Sequence, residues 1–194
     1  MTESTEVSVR ETRRVAPYVA GAVGVVIAMF LVILVLANSG EVNVARSPLL
    51  GKPAPEVNST IIDGGDFSLE RRKGSWLLLN FFNSTCVPCI QEHPYLVSFA
   101  EAQKTNDDPV ELYTIVNDDN DNAVRAFFRA NGGDWDKVRD DDGAISVAFG
   151  VSKVPESWII DPNGFVRLRI LGAVTEGFLE EQVDLLKRQF AGIE

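Results

Sequence analysis

Apolar and polar positions follow three different rhythms along this chain. The first is an uninterrupted apolar run. Residues 15–37 (VAPYVAGAVGVVIAMFLVILVLA) carry no charged side chain. A helix needs about 20 apolar residues to cross a bilayer, so the run predicts one transmembrane helix. Pro17 falls in its first turn, where a missing N–H is tolerated. Arg10, Arg13 and Arg14 precede the run, and residues 38–45 bring no Lys or Arg. The positive-inside rule then leaves the N-terminus cytoplasmic and the remainder extracytoplasmic, on a single-pass protein of the cell membrane. A cleaved signal peptide would have an apolar core of about 7–15 residues before a small-x-small site. Ala37-Asn38-Ser39 offers such a site, but the run is longer than that. The expected organisation is an arm at 1–14, an anchor at 15–37, a linker rich in Pro and Gly at 38–49, and one folded domain at 50–194.

The second and third rhythms belong to that domain. Residues 57–62 and 66–69 alternate as short strands around Asp63-Gly64-Gly65, which predicts an N-terminal β-hairpin. Trp76–Phe82 (WLLLNFF) is nearly all apolar and suits a strand buried on both faces. Asn83-Ser84-Thr85 interrupts it, and a helix is expected from about Cys86 to Lys104, with Pro94 inside. Residues 110–116 (VELYTIV) read as a strand. Residues 122–131 read as a helix burying Ala123, Ala126, Phe127 and Ala130, ended by Gly132-Gly133. A short strand at 137–139 and a short helix at 144–149 follow. Residues 157–161 and 165–171 form strands around Pro162-Asn163-Gly164, and Thr175 caps a closing helix near 176–190. Strands alternating with helices imply parallel crossovers, and the late hairpin makes the sheet mixed. The fold class is therefore α/β, a mixed sheet with helices on both faces.

Charge narrows the partners. The formal net charge is −10. The first fourteen residues balance at three basic and three acidic, which leaves 15 basic and 25 acidic residues on the rest. Nucleic acid needs clustered Lys and Arg, and anionic lipid surfaces attract the same residues, so neither is an expected partner of the domain. Asp118-Asp119-Asn120-Asp121 and Asp140-Asp141-Asp142 lack the glycine and glutamate spacing of a calcium loop and are read as turns and helix caps.

The chemistry lies in the only two cysteines, Cys86 and Cys89. Their spacing puts both on one face of a helix, at a separation that a disulfide accepts. Free N–H groups and the helix dipole at the N-terminus favour a thiolate. Cys86 is thus the expected nucleophile, and Cys89, one turn inside, the resolving thiol. A structural disulfide would close too short a loop to constrain the unfolded chain much. Zinc would need two more Cys or His ligands, and His93 is the one histidine. A soft-metal site for copper from Cys86, Cys89 and His93 remains an alternative. No metal or cofactor is expected for the leading reading. Glu92, one turn beyond Cys89, could take and return the Cys89 proton.

Around the cysteines the sequence resembles the thioredoxin superfamily, and within it the membrane-anchored TlpA/ResA/CcmG (DsbE) group of thiol-disulfide oxidoreductases. Leu50-Gly51-Lys52-Pro53-Ala54-Pro55, WLLLNFFNSTCVPC, Glu92-His93-Pro94, Val154-Pro155-Glu156-Ser157 and Ile160-Asp161-Pro162-Asn163-Gly164 stand in the group's order. The resemblance spans about residues 50–190. It implies a thioredoxin-like fold with an N-terminal hairpin and an extra β-α insertion. It also implies a cis bond at Pro155, packed on the cysteine pair, with Val154 backbone offered to a bound polypeptide. Glu92 would tune the thiols, and Glu156 would read substrate or shift the thiols by repulsion. Thr85 stands where the group usually has an aromatic residue, so it belongs to the substrate-facing surface. The implied activity is reduction of extracytoplasmic protein disulfides, apocytochrome c among them, with re-reduction by a membrane electron donor of the CcdA/DsbD type. The same site could instead donate disulfides, since only the potential differs. A peroxiredoxin-type peroxidase would have Pro and Thr where Leu79 and Asn83 stand.

Overall fold

The computed structural model describes residues 16–37 and 43–192. The expected arm 1–14 and residues 38–42 of the linker lie outside the described residues. The chain divides into two units, Met1–Gly40 and Glu41–Glu194.

In the first unit the apolar run forms helix α1, Ala16–Ala37. Its described side chains, 17–33, are all exposed. Among the described residues no helix is long and apolar enough to cross a membrane. The transmembrane expectation is therefore not borne out over the described stretch, although a helix does form along the apolar run.

The second unit is built on a six-stranded sheet. Its strands are β1 (Asn43–Val44), β4 (Trp76–Phe82), β5 (Val110–Asn117), β6 (Lys137–Asp140), β7 (Glu156–Ile160) and β8 (Val166–Leu171). They lie in the order β1-β8-β7-β4-β5-β6. β4, β5 and β6 run parallel, while β7 is antiparallel to β4 and β8 to β7. The parallel links are helices, as crossover geometry requires: α2 (Val87–Gln103) between β4 and β5, and α3 (Asp121–Asn131) between β5 and β6. The predicted N-terminal hairpin is β2 (Asn58–Thr60) with β3 (Asp66–Ser68), a separate two-stranded sheet. Helices α4 (Ala144–Phe149) and α5 (Phe178–Phe190) complete the unit. Residues 43–44, expected as linker, instead pair with Leu171 and Ile170 at the sheet edge.

β4 is buried at every position, which explains its apolar run. Its odd-numbered side chains Leu77, Leu79 and Phe81 pack with Trp158, Phe149 and the hairpin's Phe67. Trp76 and Leu78 face the other way, toward Leu96 and Phe99 of α2 and Leu179 and Val183 of α5. Phe82 continues on that side with Cys89, Val124 and Phe128. Helix α3 thus buries Val124 and Phe128; of the expected face of Ala123, Ala126, Phe127 and Ala130, Phe127 packs against this cluster and the three alanines are exposed. Two large side chains one turn apart gain more by leaving water than three alanines.

Candidate active site

The site begins where β4 ends. Asn83 accepts the Cys86 N–H on its carbonyl at 3.1 Å, closing a tight turn over residues 83–86. Its Oδ1 accepts the Thr85 N–H at 2.9 Å and the Thr85 hydroxyl at 2.7 Å. Its Nδ2 donates to the carbonyls of Asn117 and Asp118. Asp119 accepts both the Ser84 N–H and the Ser84 hydroxyl. The turn is thereby tied to the loop after β5. In that loop Asp118 has φ of 46°, a left-handed conformation that costs most side chains energy and Asp less than most. Asn120 next caps α3 through the Asn122 and Ala123 N–H groups, and Asp140 caps α4 through those of Ile145 and Ser146. Both acidic clusters are turns and caps, as their composition predicts.

Cys86 is the N-cap of α2. It is joined to Cys89 in a disulfide, with Cα atoms 5.2 Å apart. Cys86 is half-buried and Cys89 fully buried, so Cys86 is the more accessible sulfur. The Cys89 N–H donates to Cys86 Sγ at 3.2 Å. Pro88 has no N–H, so it sits in the first turn without loss but offers the sulfur nothing. The carbonyl of Val154 lies 3.7 Å from Cys86 Sγ. The Val154–Pro155 bond is cis, and Pro155 is buried. Thr85 is exposed beside Cys86, although its hydroxyl is already engaged by Asn83.

Glu92 is fully buried. One oxygen accepts from Asn80 Nδ2 at 2.8 Å and the other from the Val174 N–H at 2.9 Å. Burial raises its pKa to about 7, and the two hydrogen bonds oppose that rise only in part. A carboxyl in that range, one turn from the resolving cysteine, can exchange a proton at neutral pH.

His93 points elsewhere. Its Nε2 meets the Gly132 carbonyl at 3.0 Å, and Phe127, Phe128 and Trp135 surround the ring. Burial lowers its pKa, which favours the neutral ring. It is a packing residue that fastens α2 to the Gly132-Gly133 turn. Among the described residues no group of three His, Cys, Asp or Glu side chains is placed to hold a metal ion.

Glu156 differs from expectation. It is fully buried and bonded through both oxygens to Arg169, at 2.8 and 3.1 Å. Arg169 also donates to the Gly150 carbonyl and lies over the Trp158 ring. Side chains alternate along a strand, so Glu156 shares the Trp158 face of the sheet, away from α2. Through Arg169 it braces the segment leading to Pro155. Sequence reading also missed Asn80, Ser157 and Asp119. Asn80 was visible as the single polar residue in WLLLNFF; the other two carry no local signal. A cavity of about 490 Å³, lined by Pro55, Leu77, Ile160 and Phe165 among others, lies at the opposite end of β4 from the cysteines.

Comparison with known proteins agrees with this geometry. The model of the AhpC/TSA family matches residues 50–169. The thiol-disulfide oxidoreductase ResA of Bacillus cereus is 31% identical over 162 residues, covering 79% of this chain and 92% of that protein. The thiol:disulfide interchange protein HelX of Rhodobacter capsulatus is 28% identical over 171 residues, covering 81% and 94%. Among solved structures, StoA from Bacillus subtilis superposes with a TM-score of 0.57 at 27% identity, over 66% of this chain and 96% of that one. A thioredoxin family thiol:disulfide interchange protein from Chlorobium tepidum gives 0.60 at 22% identity, over 73% and 98%, a likeness of fold.

Proposed function

The chain belongs to the AhpC/TSA family, with a thioredoxin-like fold and the Cys-x-x-Cys site of a thiol-disulfide oxidoreductase, and from that premise we propose that it is a membrane-tethered reductase of extracytoplasmic protein disulfides. The observation that supports the direction is how few donors reach the Cys86 sulfur in the disulfide form. Among the described residues Cys86 Sγ accepts one N–H, that of Cys89, and Pro88 supplies none. A reduced form that is weakly stabilised makes a stronger reductant.

In the proposed cycle the Cys86 thiolate attacks one sulfur of the substrate disulfide. That S–S bond breaks, the departing sulfur takes a proton, and a mixed disulfide remains. Cys89 then gives its proton to Glu92 and attacks Cys86 Sγ. The second substrate sulfur leaves and takes a proton from water, to which Glu92 releases the one it received. Two electrons and two protons have passed to the substrate, and the Cys86–Cys89 disulfide is left. The Val154 carbonyl beside the sulfur and the exposed Thr85 line the place where a polypeptide would sit. On the resemblance to the CcmG-type group, the proposed substrate is apocytochrome c and the proposed electron donor a CcdA/DsbD-type membrane protein.

The test is direct. The purified chain should reduce a protein disulfide. Cys86→Ser should abolish this, and Cys89→Ser should accumulate the mixed disulfide. The potential should lie nearer the about −270 mV of thioredoxin than the about −120 mV of a strong oxidant; a value near the latter would reverse the direction. Copper delivery finds no support in the geometry, because His93 is engaged with Gly132 and its aromatic cage.

A further inference from the structure

Asn80 is a buried amide in the central strand of the sheet, fully removed from water. An amide there is costly unless its polar atoms find partners. Its Nδ2 has two: Glu92 Oε1 at 2.8 Å and Ser157 Oγ at 3.1 Å. Its Oδ1 has none. An amide that works twice at its nitrogen and not at all at its oxygen is set for an ionised Glu92.

The opposite setting needs a half-turn about the last side-chain bond, which exchanges two ends of nearly equal shape and leaves the nitrogen where Oδ1 now lacks a partner. Oδ1 would then face Glu92 Oε1 and Ser157 Oγ. That orientation suits a protonated Glu92, whose O–H would donate to Oδ1, with the Ser157 hydroxyl as a second donor. A hydroxyl can accept in the first setting and donate in the second. The other Glu92 oxygen is held by the Val174 N–H. Because an N–H can only donate, that oxygen remains an acceptor, and the proton must sit on the oxygen facing Asn80.

We infer that Asn80, backed by Ser157, is a positioning residue that turns its amide over as Glu92 gains or loses its proton, so that the carboxyl keeps a hydrogen-bond partner in both states. This rests on the reading of Glu92 as proton carrier for Cys89. The groups bonded to Glu92 are Asn80 from β4, with Ser157 of β7 behind it, and the Val174 N–H from the segment before α5; Cys89 lies one turn earlier on α2. Among these, only a Cys89 thiolate would bring a charge. The Glu92 proton therefore answers to the amide and to the sulfur, and not to a neighbouring salt bridge.

The first test uses the unaltered full-length chain. Magnetic resonance should follow the Asn80 side-chain amide and the Glu92 carboxyl carbon through a pH titration, in the disulfide and the dithiol forms. The amide signals should shift with the same midpoint as the carboxyl. Amide signals that ignore that titration would overturn the inference. The second test is the pH profile of disulfide reduction. Asn80→Leu removes the stronger, charge-assisted bond to ionised Glu92 and the weaker bond to its acid, so its Glu92 inflection should rise by up to about one unit, while Ser157→Ala should move it by less. An unshifted inflection in Asn80→Leu, with Glu92→Gln impaired, overturns the Asn80 role alone. A wild-type profile in Glu92→Gln overturns the reading of Glu92 beneath it. Should Asn80→Leu not fold, the titration of the unaltered chain decides.

Discussion

At the scale of single residues, Glu92 links stability to function. Its folded pKa of about 7 lies above the ordinary value of 4.5. Below about pH 4.5 the carboxyl is protonated in both folded and unfolded chains and has no effect on the balance. Between 4.5 and 7 the folded chain holds more protons, so stability falls as pH rises, and above 7 the full penalty of burying the charge is present. A shift of this size corresponds to about 3 kcal/mol. Glu92→Gln, which stays neutral, should therefore gain on the unaltered chain by up to about 3 kcal/mol between pH 4.5 and pH 8. Denaturant titrations across that range check it; a constant difference would mean that Glu92 is ionised throughout. The residue was legible in the sequence because it lies one helical turn from Cys89. Glu156 was misread for the converse reason. Its partner Arg169 lies thirteen positions on, across a strand pair whose register no local pattern reveals.

At the scale of elements, the reactive turn takes its rigidity from a neighbour. The strand, the helix start and the cysteine positions were all readable from WLLLNFFNSTCVPC, since an apolar run, a polar break and a Pro in the first turn are local signals. The clasp from the β5–α3 loop was not, because Asp119 reaches Ser84 across thirty-five positions of chain. The same limit applied to α3, where the buried face depends on what Phe82 and Cys89 present to it. Asp119→Ala removes an acceptor from the Ser84 N–H, and such a loss is worth about 1 kcal/mol or more. Hydrogen exchange at the Ser84 amide should accelerate about tenfold, while amides in β4 keep their protection. Equal acceleration in β4 would indicate general destabilisation, and no change at Ser84 would mean that the clasp holds nothing.

At the scale of the whole molecule, the two units differ in what they do with apolar surface. In the second unit the apolar side chains of β4 are buried on both sides of the sheet. In the first, Val25, Val26, Met29, Phe30, Leu31 and Ile33 are each more than half exposed. A helix that is apolar all round is stable when lipid or protein covers it, and residues 15–37 offer no charge to meet water. The acidic remainder, at a net charge of −10, would be repelled by anionic headgroups, so any membrane attachment should depend on the apolar helix and not on electrostatics. This separates the proposed anchor from a surface association. The full chain should stay with membranes through high salt and alkaline washing and come off only with detergent. A chain beginning at residue 38 should remain in solution. Release by salt alone would remove the anchor from the proposal. A thiol reagent that cannot cross membranes should label reduced Cys86 in cells whose membrane is intact, and failure to label would place the site on the cytoplasmic side.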